Sequence, residues 1–219
     1  MLVRSLHSWD VEPDEAREVQ RKLSSQVIRR DVFTVVRSIC GVDVAYRGRM
    51  AAGACVVMSF PDMEILESKV SASCVGFPYV AGLLAFREIP ALIPALQSLL
   101  FEPDIIIADG QGISHPLRCG LASHLGILLD KPVIGCAKSR LSGDFREPGP
   151  DRGDWEGLMD GEETVGAVVR TRARVRPLFV SIGHRVCLAS ARFYVVDCCR
   201  GFRITEPVRA AHHLASAAL

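Results

Sequence analysis

Three carboxylates stand in unusual company in this chain. Asp43 falls in the middle of SICGVDVAY, where a two-residue period places it on one face with Gly41 and Ala45. Aspartate is depleted from strand interiors, and an unpaired buried carboxylate is strongly penalised, so Asp43 either faces solvent or answers a counter-charge. Asp109 ends the apolar run IIIADG. Ligand sites of open α/β sheets gather at such strand ends, although an Asp-Gly pair also serves as a plain turn. Glu88 lies in LLAFREIP with Leu84 and Leu92 four residues to either side, either as half of a surface ion pair with an arginine or as a third acid of the set. Two strands and a helix supplying three carboxylates would form an all-oxygen donor set for a hard divalent cation, Mg²⁺ or Mn²⁺.

Two cationic groups could complete a phosphoryl-transfer site. Lys138 closes a second apolar strand, PVIGCAK, and could reach a scissile phosphate. On the last helix His212 shares a face with Val208, Ala211 and Ala215, whereas His213 lies with Arg209 and Ser216. His212 is therefore the inward member of the pair, as a core histidine or as a site residue. RTRARVRP spaces Arg170, Arg172, Arg174 and Arg176 evenly, which would make a cationic face in one strand. Because the stretch joins two strands, it reads as a solvated hairpin. DGQG lacks the third glycine of a dinucleotide fingerprint, and neither a G-x-x-x-x-G-K-[ST] loop nor H-E-x-x-H is present.

The elements that must position these groups follow from periodicity and punctuation. Residues 13 to about 30 form an amphipathic helix opened by Pro13. SICGVDVAYRGRMAAGACVVMSFPDMEILESKVSASCV reads as an antiparallel meander. Pro90 predicts a helix break just after Glu88, with a new helix over ALIPALQSLL. The strand PDIIIADGQG, a helix over about 117 to 129 and the strand PVIGCAK form a parallel crossover unit. The fold class is thus α/β, a mixed sheet of antiparallel meander then parallel strands with helices on both faces, in one domain over residues 1 to 219. Residues 142 to 163 read as a long surface loop, followed by strands TVGAVVR and PLFVSIG and helices RVCLASARFYVVDCC and TEPVRAAHHLASAAL. Thr205 or Glu206 caps the last helix, with Pro207 at its first position.

Composition sets outer bounds. The chain has 219 residues, 49% hydrophobic and 23% charged, with formal charge +1, so bulk electrostatics neither demands nor excludes nucleic acid. No run approaches a membrane span or a secretory h-region, which predicts a cytoplasmic, soluble protein. Eight cysteines lie mostly in apolar runs without a C-x-x-C pair, the pattern of buried, reduced thiols.

The blocks PYVAGLLAFRE, DGQGISHP followed by GLASHLG, IGCAKSRL, DGEE, FVSIGH and EPVRAAH resemble, in order, the endonuclease V family of nucleases that act on deaminated purines. The resemblance implies a ribonuclease H-like fold and Mg²⁺-dependent hydrolysis, with Mn²⁺ as substitute, of the second phosphodiester bond 3′ to deoxyinosine, leaving 3′-hydroxyl and 5′-phosphate ends. Asp43, Glu88 and Asp109 match the family's metal carboxylates, Lys138 its catalytic lysine and His212 its histidine near the metal. Pro78, Tyr79 and Val80 match the wedge that fills the gap left by a flipped base, Gly82, Leu84 and Gly110 the pocket that receives it, and His115 a polar residue beside that pocket. The implied partner is DNA containing deoxyinosine or another deaminated base, with inosine RNA as the runner-up, and the protein is expected to act as a monomer. DGQG leans toward the DNA-cutting type. Two departures stand out: Val80 and Ala81 occupy places usually held by Ile and Pro, and Leu117 holds the usual arginine place with Arg118 one later. A non-catalytic α/β binding module, with the acids purely structural, is the reading from another class.

Overall fold

The computed structural model describes residues 1–219. Its elements are α1 (Pro13–Ser24), β1 (Ser38–Arg47), β2 (Met50–Ser59), β3 (Ile65–Cys74), α2 (Leu84–Gln97), β4 (Ile105–Ala108), α3 (Leu121–Leu129), β5 (Val133–Ala137), β6 (Trp155–Asp160), β7 (Glu163–Val169), β8 (Leu178–His184), α4 (Leu188–Asp197) and α5 (Glu206–Ala217). One eight-stranded sheet runs in the order β3-β2-β1-β4-β5-β8-β7-β6. β1, β4 and β5 are parallel, and antiparallel strands flank them on both sides. The expected meander, crossover unit and mixed sheet are all present. No helix is long and apolar enough to cross a membrane.

Alternation along the strands sorts the two faces. Cys40, Val42, Ile106 and Ala108 pack with α2 and α3, while Ile39, Ile105 and Ile107 pack with α4 and Val208 of α5. Since side chains alternate with period two, Asp43 and Asp109 point to the α5 face, and the pairing of Val42 with Ala108 sets them at one level on neighbouring strands. Helix α5 presses so closely on β1 that a Cβ on Gly41 would lie 2.0 Å from the carbonyl carbon of Pro207.

Several boundaries differ from expectation. Helix α1 stops at Ser24 rather than near 30; a reciprocal capping box between Glu12 and Glu15 starts it. Helix α2 does not break after Glu88 but runs through Pro90 and Pro94. Each internal proline costs about 3 kcal/mol, whereas burying a large apolar side chain returns about 1.5–3 kcal/mol, and Phe86, Ile89, Leu92 and Leu96 are all fully buried on this helix. Packing thus holds the two halves in line. Helix α3 begins at Leu121, because Arg118 takes a left-handed φ of 55° and Gly120 caps it.

The stretch expected as a loop over 142–163 contains β6, which pairs with β7 through the two-residue turn Gly161–Glu162, and Asp144 bridges to Met159. Gly161 at φ 61° takes the first loop position, a Gly-X hairpin signal that its acidic surroundings obscured. The even-spaced arginines also divide. Arg172, Arg174 and Arg176 are exposed in the turn, but Arg170 is buried and donates to the carbonyls of Gly149, Pro148 and Val175 and to Glu147. All eight cysteines are free; Cys74 is exposed and Cys187 half-buried, against the expected burial.

Candidate active site

The predicted acids gather near the C-terminal end of β4, close enough for their charges to act on one another. Asp43 is raised above the usual aspartate range, by burial first and then by the charge of Asp109. Glu88 projects from α2, 9% exposed, and its carboxyl is pushed up to about 8, by burial and then by Asp43 and Asp109. Its one side-chain partner is the Tyr46 hydroxyl, which donates to Oε1 across a long 3.4 Å. The charge of Asp109 disfavours ionisation of both Asp43 and Glu88, the mark of acids crowded together. They are not already closed into a cage, since no three His, Cys, Asp or Glu side chains converge as a ready-made metal donor set. The all-oxygen character of the cluster and the net repulsion that still raises Asp43 and Glu88 fit a hard divalent cation.

Two cations of the chain attend it. Lys138 Nζ is ion-paired with Asp109 Oδ2. Burial works against the lysine's charge, but Asp109 and then Asp43 outweigh it and hold its pKa above the ordinary value. His212 Nδ1 lies 2.6 Å from Asp43 Oδ2. His212 was expected to face inward; its side chain is instead 54% exposed, while Val208, Ala211 and Ala215 take the core. Four residues advance a helix by about 400°, so His212 stands about 40° from Val208 and falls on the edge of the buried stripe, over Asp43.

Beside the acids opens a recess of about 330 Å³, lined by Tyr79, Val80, Ala81, Gly82, Leu84, Gly110, His115, Asp109 and Lys138 among others. Tyr79 is 75% exposed at its mouth, and Pro78 is exposed next to it but is not part of the lining. The chain turns at Val80–Leu83, where the Leu83 amide donates to the Val80 carbonyl at 3.0 Å and Gly82 adopts φ 83°. Positive φ at the third position is the geometry of a type II turn, which glycine accepts without strain.

The Gly82 carbonyl is held from two sides. The Leu117 amide donates to His115 Nδ1 at 3.0 Å, which leaves the proton on Nε2, and Nε2 donates to Gly82 O at 2.8 Å. Burial lowers the pKa of His115, keeping it neutral in this role. Gln20 Nε2 donates to Gly82 O and to Cys119 O, both at 2.9 Å. Arg118 does not reach the recess; it is paired with Asp160 at 2.7 Å and Glu163 at 2.9 Å, which ties the DGEE hairpin to the loop after β4.

Gln20, Tyr46 and Arg87 escaped the sequence reading. Gln20 interrupts the apolar stripe of α1 between Ala16 and Leu23, a polar residue on a buried face, and that signal was available. Arg87 sits over the Tyr46 ring at 4.8 Å and donates to Phe77 O, contacts that no local spacing announces.

A mixed sheet with parallel central strands, acids at one level on β1 and β4, and a C-terminal helix pressed on that face defines a ribonuclease H-like fold, and solved endonuclease V structures share it. Residues 21–213 match the family model Endonuclease V, and the chain belongs to that family of nucleases. An endonuclease V from Methanothrix thermoacetophila is 49% identical over 98% of this chain and 95% of its own. The crystal structure of endonuclease V from Streptomyces avermitilis superposes with a TM-score of 0.91 at 39% identity, covering 100% of this chain and 97% of that one. That of Ciona intestinalis endonuclease V, in complex with a 23mer DNA containing an inosine followed by a ribo-adenosine, gives 0.84 at 29% identity over 95% and 98%.

Proposed function

We propose that this chain is a divalent-cation-dependent repair endonuclease that hydrolyses the second phosphodiester bond 3′ to deoxyinosine in DNA, leaving 3′-hydroxyl and 5′-phosphate ends. The observation that carries this reading is that Asp109 and Lys138 line both the recess and the acid cluster, so a base held in the one brings its own strand across the other. A base must leave the stack to enter, and Tyr79, exposed at the mouth, fills the gap behind it. Helix α2 opens onto the recess with no side-chain cap, which leaves the amides of Leu84 and Ala85 without a backbone acceptor. Such amides favour a carbonyl oxygen, which hypoxanthine presents at the exocyclic position where adenine carries an amino group.

Asp43, Glu88 and Asp109 would hold the cation, Mg²⁺ with Mn²⁺ as substitute. Bound there, it would supply an acidified water and neutralise charge on the leaving oxygen. Lys138, held by Asp109, meets the charge of the scissile phosphate. His212 is oriented through Nδ1 by Asp43, leaving Nε2 to take up or return a proton at the reacting oxygens.

One observation favours a second reading, cleavage of inosine RNA: in the Ciona relative's complex the residue after inosine is a ribonucleotide. End-labelled strands with one deoxyinosine or one inosine, incubated with Mg²⁺ or with chelator and with Asp109→Ala as control, separate the two. A deoxyinosine strand left uncut in Mg²⁺ contradicts the proposal, and cutting confined to inosine RNA establishes the second reading instead.

A further inference from the structure

We propose that Phe202 and Arg209 form a stacking platform for a nucleobase on the 3′ side of the cut, so that the protein grips single-stranded nucleic acid beyond the bond it hydrolyses. The inference rests on the nuclease reading above. Phe202 lies in the turn before α5 and is 47% exposed, outside every core cluster of the protein. Its ring is backed by the Arg209 guanidinium, 3.8 Å from the centroid. Glu206 holds that guanidinium in place, 3.1 Å from Nη2. An exposed aromatic already stacked on a fixed, planar cation offers a rigid, sequence-tolerant surface for another π-face, the arrangement by which single strands are held without base reading.

Position supplies the second argument. Arg209 stands one helical turn before His212, which touches Asp43, and Arg203, next to Phe202, donates to the Lys138 carbonyl at 2.7 Å. The platform is thereby anchored to the two elements that deliver His212 and Lys138 to the acids. The base recess is lined by the segment Tyr79–Gly82, α2, the loop after β4, the start of α3, the end of β5 and the loop that follows it, with no residue of α5 or of the turn before it. A strand with one base in the recess and its phosphate at Asp109 therefore continues toward α5. Phe202 meets it there.

The test varies the strand as well as the protein. Deoxyinosine strands are made with a long tail or a single nucleotide 3′ of the cut, and kcat/KM is measured for wild type, Phe202→Ala, Phe202→Leu and Phe202→Tyr. Base–aromatic stacking predicts that Phe202→Ala loses about tenfold on the long tail and nothing on the short one. Phe202→Leu, which keeps apolar bulk without a π-face and guards against a folding defect, behaves like Ala, and Phe202→Tyr restores wild-type behaviour. Equal losses on both tails, or none on either, overturn the platform. If wild type cuts neither strand, the nuclease reading fails and the platform is judged separately, by anisotropy titration of an inosine-free single strand in chelator: about tenfold weaker binding by Phe202→Ala supports it, and equal affinity overturns it.

Discussion

A glutamate that holds its proton to about pH 8 is an uncomfortable residue, and Glu88 is in that state because it is buried beside two other acids. Its folded pKa lies above the ordinary value of 4.5, so the fold binds this proton more tightly than the unfolded chain does. The associated stability is complete below about 4.5 and is lost as pH rises through about 8. Glu88→Gln removes the penalty. In chelator the variant is expected to melt about 10 °C above wild type at pH 9 and almost level with it at pH 5, by a calorimetric scan, while losing cleavage. The acid's apolar setting was legible from Leu84 and Leu92; its partners were not, because Asp43 and Asp109 arrive from strands that local spacing cannot bring together. The same holds for His212. Helical arithmetic placed it on the stripe of Val208 and Ala211, yet only the packing of α5 on Gly41 reveals that the stripe's edge overhangs Asp43.

At the scale of elements, the segment proposed as the wedge ends in a type II turn with Ala81 in the position that proline favours. Ala81→Pro is therefore compatible with the folded backbone, and it is expected to stabilise by about 0.4–1 kcal/mol through the unfolded chain. A stiffer wedge should help most where strands must be parted, so the variant is expected to gain more on duplex than on single-stranded deoxyinosine DNA. Equal changes in kcat/KM on both substrates would refute this. Elements whose signals were purely local, such as the meander, the strand before Asp109 and the helix opened by Pro207, were legible. Helix α2 and strand β6 were not, since the first survives two prolines through buried neighbours and the second lies among glycines and acids that ordinarily mark loops.

Across the whole molecule, one sheet runs unbroken from β3 to β6, with the acids near its middle and helices on both faces. We expect it to unfold as one cooperative domain, giving a single calorimetric transition whose van't Hoff and calorimetric enthalpies agree; two resolved transitions would count against a single unit. The ordered blocks made this architecture readable from the sequence, because each spans a strand terminus or a helix start. The bracing between them was not readable. Gln20 and His115 clasp Gly82 from α1 and from the loop after β4, and Arg118 ties that loop to the β6–β7 hairpin. The most direct measurement of the whole account is the product of a labelled strand carrying one deoxyinosine, sized to the nucleotide in Mg²⁺ and in chelator. The expected result is a single cut at the second bond 3′ to the lesion, absent with chelator and absent when deoxyadenosine replaces deoxyinosine. Cutting that ignores the lesion, or that persists without the cation, would contradict it.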